Sequence, residues 1–496
     1  MKKITSLFAL LFVFTVFSGA AVATNDVEPI HVTLLYFNDV YEITPVGGGK
    51  EGGLARVATL RKALLRKNPN TVTLLGGDFF SPSAMGTAKV DGEALAGKQM
   101  VDVLNRLGLQ YATFGNHEFD IKESQFDQRM SEAKFTWISS NVFDANGAPF
   151  PCVKKNLVLP FTDKQGGRVF NIGLFGVTLA VNKPAYVRYA DPVSTAAAEV
   201  AALVGKSDFQ IALTHQGLDD DVELLQRQPE IDLLLGGHEH VNYQQWRGAN
   251  FAPLLKADGN ARSVYVVELY FDPLTGKTKI EPRFVPIDAG IDEDPEVKAV
   301  VDKWTALVFD AFRQQGLNPE EVVTTTAVAL DGLESNVRFR RTNLTELIAE
   351  SMLPAYPEAD LALYNSGAIR IDDMLPAGPI TGYDIIRVLP FGGRVELVAM
   401  KGRLLRQVLA QGEANINSGG YLQSARAGKS AGGDWLVNGA AIDPDKLYKV
   451  SILDFLMTGK ETNLGYLNAA NPDLTVLKDG AGGDIRQLVM DRLKGR

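Results

Sequence analysis

Short apolar runs alternate with amphipathic stretches along the first half of the chain. Between about residues 30 and 285, runs such as VTLLYF and TVTLL have the length and β-branched content of buried strands. Stretches such as GGLARVATLRKALLRKN instead repeat apolar residues at helical spacing. Because strands and helices take turns along the sequence, the pattern predicts a layered α/β domain.

A different pattern begins near residue 292. After an acidic turn with Pro295, apolar residues recur at helical spacing to residue 316, which predicts a connecting helix within 291–320. Strand-like runs such as LALYNSG and YKVSIL then mix with helical segments. Since 496 residues are too many for one ordinary core, we predict two domains, 24–290 and 321–496.

The first residues have the layout of a secretory signal peptide. Lys2 and Lys3 precede a short apolar block that ends in small residues, with Ala21-Val22-Ala23 as the cleavage pattern. The block is short for a membrane span, and no basic stop-transfer cluster follows it. We therefore predict removal of residues 1–23, export to the periplasm and no stable membrane anchor.

Composition narrows the class of partner. The formal net charge of −9 makes nucleic acid and anionic membranes poor partners. Cys152 is the only cysteine, which forbids an internal disulfide and suits a periplasm-like space. We expect a small-molecule partner, and a protein that is a monomer or weak dimer.

Five strand-like runs each end on a side chain that can bind a metal ion. In chain order these side chains are Asp39, Asp78, Asn116 with His117, His215, and His238 with His240. One such residue could simply cap its strand, but ligands collect beyond the carboxyl ends of strands in α/β sheets, so five coincident ends predict a shared site. A set of aspartate, asparagine and histidine without thiolate suits divalent Zn, Mn, Co or Fe.

Several motifs resemble a known family. ND (38–39), GGD (76–78), GNHEFD (115–120), TH (214–215) and GHEH (237–240) resemble the calcineurin-like metallophosphoesterases. NSGAIR (365–370), GPITGYDIIRVLPFGG (378–393) and GGYLQ (419–423) are similar to the carboxy-terminal domain of the 5'-nucleotidase and UDP-sugar hydrolase family. The resemblance implies a four-layer α/β/β/α metallophosphoesterase domain followed by a second α/β 5'-nucleotidase C-terminal domain.

The resemblance also implies roles for the residues at the strand ends. Asp78 bridges two divalent metal ions; Asp39 and His240 bind the first ion, and Asn116, His215 and His238 bind the second. Two such ions activate water for in-line attack on a phosphoryl group. His117 stabilises or protonates the transferring phosphate, and Asp120 orients it. The alternative for Asp120 is a cap on the following helix.

In the second domain, the resemblance assigns residues to substrate binding. Arg338 and Arg370 are similar to arginines that bind phosphate or carboxylate groups, which the planar guanidinium does well. Arg340 and Arg341 lie beside Arg338, so which of these three arginines faces the substrate is open. Asn365 is similar to the asparagine that contacts the nucleobase.

The aromatic clamp of the family is only half present in the sequence. Phe391 matches one of the two rings that stack on the base. The other ring usually comes from a GGDGF loop, but this chain reads TGKETNLGYL at 458–467, with Leu464 at the ring's position. Either Tyr421 or Tyr466 supplies the second face, or the pocket accepts a different phosphate ester.

The first metal motif also departs from the family pattern. The motif normally reads Asp-x-His, whereas FNDVYE at 37–42 has Tyr41 in place of the histidine. A neutral phenol is a poor ligand for zinc or manganese, and Glu42 points in a different direction if the strand continues. We predict that Asp39 binds metal, while the first site has one protein ligand fewer or recruits Tyr41.

The sequence therefore predicts an exported two-metal phosphohydrolase that acts on 5'-nucleotides, with nucleotide sugars and cyclic nucleotides as further candidates. Two alternatives stay open: a thiosulfohydrolase-like enzyme of sulfur oxidation, and a nucleotide-binding protein with an impaired metal centre. Since catalytic and substrate-binding groups lie on separate domains, the segment 292–316 is the expected hinge.

Overall fold

The structure is a computed structural model that describes residues 28–163 and 167–495. The predicted signal peptide, residues 1–23, lies outside these ranges. In the first half of the chain, two β-sheets pack against each other. The first sheet has, in spatial order, strands Lys277–Pro286, Ser263–Asp272, Ile30–Phe37, Thr71–Leu75, Tyr111–Ala112, Thr136–Ile138 and Val153–Lys154. The second has Tyr243–Arg247, Ala252–Lys256, Leu233–Gly236, Phe209–His215, Val169–Thr178 and Asn156–Thr162.

The central strands of both sheets are parallel. Ile30–Phe37 runs parallel to Thr71–Leu75, and Phe209–His215 runs parallel to Leu233–Gly236. Their carboxyl ends therefore lie along the same edge of each sheet, where ligand sites form in α/β proteins. Two small two-stranded sheets, Lys89–Val90 with Glu93–Ala94 and Val142–Asp144 with Val187–Tyr189, lie outside these sheets.

Helices cover the outer face of each sheet. One layer contains Leu54–Lys67, Ala84–Thr87, Lys98–Leu107 and Glu123–Glu132, with a 3-10 turn at His117–Phe119, and the other contains Pro192–Leu203 and Leu218–Arg227. Between the sheets, alternate strand residues such as Val32, Leu34, Leu213 and Leu235 are fully buried. This packing gives the four layers α/β/β/α that the family resemblance implies.

A long helix, Pro295–Gln314, follows the first half. The Asp294 side chain accepts hydrogen bonds from the amides of Glu296 and Val297 and so caps its first turn. Trp304 donates its indole N–H to Asp102 (2.9 Å) on one side, and Phe309 packs against the ring of Tyr383 on the other. The helix thus contacts both halves of the chain, while the domain bounds at 290 and 321 stay predictions.

The second half forms another α/β unit. Its five-stranded sheet has the spatial order Leu422–Ala425, Leu361–Asn365, Leu447–Leu453, Val395–Lys401 and Leu474–Lys478. The helices are Glu334–Val337, Asn343–Ser351, Gly382–Val388, Gly402–Ala414 and Ile485–Leu493, with 3-10 turns at Ser366–Ala368 and Asp454–Met457. The remaining short strands are Val322–Thr326, Leu330–Asp331, Met374–Leu375, Gly378–Thr381, Ala427–Lys429, Trp435–Val437 and Ala440–Ala441.

The two α/β units confirm the predicted fold class. Apolar residues of Gly402–Ala414 cover one face of the five-stranded sheet, and the helices Asn343–Ser351 and Ile485–Leu493 pack together on a separate core. Among the helices within the described ranges, none has both the length and the apolar character needed to cross a membrane.

Candidate functional site

The six predicted metal-binding residues meet at the carboxyl edge of the two sheets. Four of them, Asp39, Asp78, His238 and His240, have positive φ angles of 53°, 57°, 94° and 59°. Few residues other than glycine adopt this left-handed conformation, and it turns the chain sharply where each strand ends. The turns direct side chains from strands far apart in sequence into one cleft.

Four of these residues form what we call the Asn116 half-site: Asp78, Asn116, His215 and His238. The ligand atoms of Asp78, His215 and His238 all lie within 4.8 Å of one another. His215 Nδ1 is hydrogen-bonded to the carbonyl oxygen of Gly76 (2.7 Å), so its Nε2, 3.1 Å from Asp78 Oδ2, is the ring nitrogen that faces the cleft. Asn116 adjoins His117, whose amide donates to Asp78 Oδ1 (2.7 Å).

Asp39, Tyr41 and His240 form the Tyr41 half-site. His240 Nε2 lies 3.5 Å from Asp39 Oδ1 and 2.9 Å from the Tyr41 hydroxyl. That hydroxyl is also 3.2 Å from Asp78 Oδ2, so it lies between the two half-sites. Burial, together with the charges of Asp78 and Asp39, raises the pKa of the Tyr41 phenol well above its ordinary value. Tyr41 is therefore a neutral hydrogen-bond donor here.

The pKa values of the two histidines in the Asn116 half-site shift in opposite directions. Burial lowers the pKa of His215, but Asp78 and Asp39 outweigh this and raise it to about 9. Burial and the charge of His215 lower the pKa of His238 to about 4, which keeps its imidazole neutral. A neutral imidazole is the form that binds a metal ion.

The donor set fits divalent cations. Asp39 Oδ1, Asn116 Oδ1 and His215 Nε2 are buried polar atoms that have no hydrogen-bond partner among the described residues. Buried polar atoms are normally paired, so three such atoms around one cleft indicate a missing partner of positive charge. Carboxylate, amide and imidazole atoms are the ligands that Zn, Mn, Co and Fe accept.

Two buried groups that the sequence analysis missed hold the loops in place. Glu118 accepts hydrogen bonds from the amides of Asp78 (2.9 Å), Phe79 (2.7 Å) and Gly115 (2.5 Å). Burial and the charge of Asp78 raise the pKa of Glu118 to about 7. The signal that the sequence offers for Glu118 is its position directly after His117.

Lys256 supports the loop that carries His238 and His240. Its ammonium donates to the carbonyls of Gln216 (2.7 Å) and Gly237 (2.9 Å) and pairs with Asp221 (2.8 Å) and Glu239 (2.5 Å). Since the charge is buried but fully paired, it fixes the loop without the cost of an unpaired ion.

His117 and Asp120 lie together at the mouth of the cleft. His117 Nδ1 is 2.5 Å from Asp120 Oδ2, and Asn182 donates to the other Asp120 oxygen (2.6 Å). Burial lowers the pKa of His117, but Asp78 and Asp120 outweigh it and raise that pKa. The following helix has Lys122 at its N-cap, so capping does not explain Asp120.

The second domain reaches into the Tyr41 half-site through Asp372, another residue that the sequence analysis missed. His240 Nδ1 donates to Asp372 Oδ2 (2.6 Å), while the amide of Glu334 donates to the other oxygen (2.7 Å). The carboxylate thus fixes the tautomer of His240 that leaves Nε2 free. The Glu42 carboxylate instead accepts a hydrogen bond from the Tyr383 hydroxyl (2.8 Å).

Arg370 connects the cleft to a larger cavity. It lines a narrow cleft together with Tyr41, His117 and His240, and it also lines a cavity of about 860 Å³ whose walls come mostly from the second domain, with Ser81 and Asp120 from the first. Asn365 and Phe391 line the same cavity, and the Arg370 guanidinium lies 5.6 Å from the centre of the Phe391 ring. The structure therefore brings three of the four predicted substrate-binding residues together.

Of the three neighbouring arginines 338, 340 and 341, Arg338 is the one that lies next to the cleft. It pairs with Glu334 (2.6 Å), which lines the cleft, and burial and the nearby charge of Arg370 lower its pKa. Arg340 is exposed, and Arg341 donates to Ser424 at a separate surface depression. The structure thus places Arg338 nearest to Arg370.

Phe455 is a second phenylalanine that lines the cavity. Leu464 is fully buried in the core of the second domain, and neither Tyr421 nor Tyr466 lines the cavity among the described residues. Phe455 does line it and is 41% exposed, compared with 54% for Phe391. Besides Tyr421, Tyr466 and a different phosphate ester, Phe455 on the 3-10 turn Asp454–Met457 is therefore a further candidate for the second ring.

Comparison with known proteins gives a consistent result for both halves. Residues 30–242 match the family model of calcineurin-like phosphoesterases, and residues 322–466 match that of the 5'-nucleotidase C-terminal domain. The chain is 26% identical to a Bos taurus 5'-nucleotidase, covering 86% of this chain and 79% of the relative. It is also 26% identical to protein UshA of Yersinia enterocolitica, covering 93% and 92%.

A solved structure has the same fold. The 5'-nucleotidase precursor from Thermus thermophilus matches with a TM-score of 0.71 and 22% identity, covering 94% of this chain and 96% of that one. At this identity the likeness shows the shared two-domain fold.

Proposed function

Since the chain belongs to the 5'-nucleotidase family of calcineurin-like metallophosphoesterases, which are metal-dependent phosphoric ester hydrolases, we propose that it releases phosphate from 5'-nucleotides. Two divalent ions are proposed as cofactors, with Asp78 as the shared ligand. Nucleotide sugars and cyclic nucleotides are further candidate substrates.

One observation carries this proposal: Arg370 lines both the cleft with the metal-binding residues and the cavity with two exposed aromatic rings. A nucleotide has an anionic end and a flat aromatic end. Arg370 suits the anionic end, because guanidinium binds phosphate oxygens in a bidentate way. Phe391 and Phe455 suit the flat end, since bases stack on aromatic rings with little dependence on their identity.

The bound ions, when present, supply Lewis-acid activation of the attacking water and neutralise charge on the phosphoryl group. Asp39 and His240 would hold the first ion, and Asn116, His215 and His238 the second. The chain's own residues then orient the ester. Arg370, with Arg338 behind it, fixes the anionic group in the cleft. Asn365 and the two rings fix the base, which is the remote binding that positions the reacting phosphate.

His117 supplies the proton chemistry in this proposal. Asp120 accepts from His117 Nδ1, so Nε2 is the atom that faces the transferring phosphate or its leaving oxygen. The raised pKa of His117 favours the protonated ring, which can donate to an anionic phosphoryl oxygen or to the departing ribose oxygen. Asn182 keeps Asp120 in this orientation.

Export remains part of the proposal. The layout of residues 1–23 supports secretion into the periplasm, where extracellular nucleotides are available to a small-molecule hydrolase. We also propose that the protein acts as a monomer or weak dimer, without nucleic acid or a stable membrane anchor.

A panel of phosphate esters tests the function. Purified mature protein should release phosphate from 5'-nucleotides with manganese, cobalt or zinc, and a chelator should abolish the release. Cleavage of a thiosulfate ester without nucleotide turnover would favour the sulfur-oxidation alternative. Nucleotide binding without turnover under every metal would favour the binding-protein alternative.

A further inference from the structure

The narrow cleft at the metal-binding residues has walls from both halves of the chain. Its lining side chains that can donate a hydrogen bond are Tyr41, His117, His240, Asn260, Arg262 and Arg370. Its other charged groups already have ion partners: Glu334 with Arg338 (2.6 Å), Asp372 with His240 (2.6 Å), and Arg262 with Asp373 (3.1 Å). Arg370 forms no ion pair within the described ranges, so the cleft suits an anionic group such as a phosphoryl group.

The Tyr41 hydroxyl lies within hydrogen-bond distance of one proposed ligand from each half-site. Its oxygen is 2.9 Å from His240 Nε2 and 3.2 Å from Asp78 Oδ2. A phosphoryl group bound across both half-sites has its oxygens in this same region. Since Tyr41 also lines the cleft, its hydroxyl is within reach of the ester as well as of the ligands.

Asn260 fixes the backbone around Tyr41. Its Oδ1 accepts hydrogen bonds from the amides of Tyr41 (3.0 Å) and Glu42 (3.1 Å), and its own amide donates to the carbonyl of Asp39 (2.7 Å). The Tyr41 residue itself is only 8% exposed. A donor that is held in place before the ester arrives needs little reorganisation during the reaction, which is the condition for strong electrostatic stabilisation.

A phenol at this position suits donation better than metal binding. It is neutral near neutral pH, because its ordinary pKa is about 10, and it has one O–H to donate. When His240 Nε2 and Asp78 Oδ2 act as metal ligands, their lone pairs are no longer available to this O–H. Among the described residues, no other acceptor lies within hydrogen-bond distance of it. A phosphoryl oxygen is then the acceptor that the ester brings into the cleft.

From these contacts we propose that Tyr41 is a catalytic residue whose hydroxyl donates a hydrogen bond to a phosphoryl oxygen of the ester. The inference rests on the proposed ester hydrolysis and adds a catalytic group to it. Negative charge on the phosphoryl oxygens is the charge that a catalyst of this reaction must stabilise. Where the family pattern has a histidine ligand, this chain thus has a donor to the substrate.

Tyr41→Phe removes the hydroxyl and keeps the ring. With a 5'-nucleotide and manganese, we expect kcat to fall by about 10- to 100-fold while KM changes little, because a hydrogen bond to a charged oxygen that strengthens in the transition state is lost. Calorimetric titration with manganese should show binding no weaker than in the wild-type protein. Tyr356→Phe, which removes a buried hydroxyl that donates to the Val395 carbonyl (3.2 Å), is the control and should keep wild-type kcat.

Two further measurements distinguish a donor to the phosphoryl oxygen from a merely structural role. The fold-loss in kcat of Tyr41→Phe should be the same for a 5'-nucleotide and for p-nitrophenyl phosphate, because the hydroxyl does not contact the leaving oxygen. Vanadate, which adopts the five-coordinate geometry of the transition state, should inhibit the variant more weakly by about the same factor as kcat/KM falls. Inhibition by inorganic phosphate should change little.

The outcomes separate this inference from the proposed function. Wild-type kcat in folded Tyr41→Phe would overturn the inference and leave ester hydrolysis intact. Weaker manganese binding in the variant would make Tyr41 a ligand, and a loss confined to the nucleotide would assign it to the leaving oxygen; each result would overturn the inference as well. Tyr41→Leu also lacks the hydroxyl and should show the same loss, so a second variant serves if one does not fold. Absence of phosphate release from every ester by the wild-type protein would overturn the proposed function itself.

Discussion

The two halves of the proposed metal-binding centre are built differently. The Asn116 half-site is made wholly by the first domain, and two of its ligand atoms, Asn116 Oδ1 and His215 Nε2, are buried without partners among the described residues. In the Tyr41 half-site, the Tyr41 hydroxyl already lies 2.9 Å from His240 Nε2, and Asp372 of the second domain holds the other side of that ring. The Asn116 half-site thus offers unpaired ligand atoms to a cation. In the Tyr41 half-site, the orientation of His240 depends on the Tyr41 phenol and on a residue of the second domain.

The difference lies in one residue, Tyr41, at a position where the family pattern has a histidine. A histidine at position 41 would offer a second imidazole, whereas the phenol is a poor metal ligand whose oxygen lies 2.9 Å from His240 Nε2. The shared ligand, Asp78, also receives a hydrogen bond from Tyr41 (3.2 Å). We therefore expect tighter metal binding in the Asn116 half-site than in the Tyr41 half-site.

The largest effect is expected at His117, which lies outside both half-sites. Its substitution distinguishes the loss of proton transfer from the loss of metal binding. His117→Asn should lower kcat by about 10²- to 10⁴-fold, because the proton donor is lost while the ligands of both half-sites remain. Steady-state kinetics and metal analysis of the same preparation check this. Wild-type turnover in the variant, or loss of bound metal together with turnover, would contradict the role of His117.

The next largest effect is expected from a substitution in the Asn116 half-site. Asn116→Ala should weaken the tighter metal-binding event and lower activity by more than about 100-fold, since even the outer partners of ligands contribute about 10- to 100-fold. Asn146→Ala, an exposed asparagine in a loop of the same domain, is the control. If Asn116→Ala weakened only the weaker event, the assignment of the two half-sites would be reversed.

A smaller effect tests the contact between the domains. Asp372→Ala should weaken metal binding in the Tyr41 half-site by about 10- to 100-fold and leave the Asn116 half-site unchanged, because His240 loses the partner that fixes its tautomer. Asp372→Asn keeps an acceptor and should restore most of the affinity.

Asp373→Ala provides the matched control for this contact. It removes an ion pair with Arg262 (3.1 Å) in the same segment but does not touch His240. Calorimetric titration with manganese compares the variants. Equal losses for the Ala substitutions of Asp372 and Asp373 would mean that domain packing, not His240 orientation, sets the affinity.

The sequence predicts most of the first domain's site because its residues follow strands. Asp39, Asp78, Asn116, His215, His238 and His240 each lie where an apolar run ends, and parallel strands bring such ends together. The layered fold class follows from the same alternation. Local pattern was sufficient for these residues, because strand direction determines their position.

The residues that were missed depend on tertiary packing. Asp372 is 132 residues from His240, and nothing in its local sequence indicates a contact across two domains. Phe455 and Leu464 are both apolar residues near a turn, and only the fold buries Leu464 and exposes Phe455. The choice of Arg338 over its two neighbours similarly depends on the direction in which each side chain leaves one short turn.

Metal titration of the apoprotein and of Tyr41→His tests the inequality of the two half-sites most directly. The account predicts two binding events whose dissociation constants differ by at least about tenfold, with Tyr41→His tightening only the weaker event as a new imidazole ligand becomes available. Two equally tight events in the wild-type protein, with no change in Tyr41→His, would contradict it.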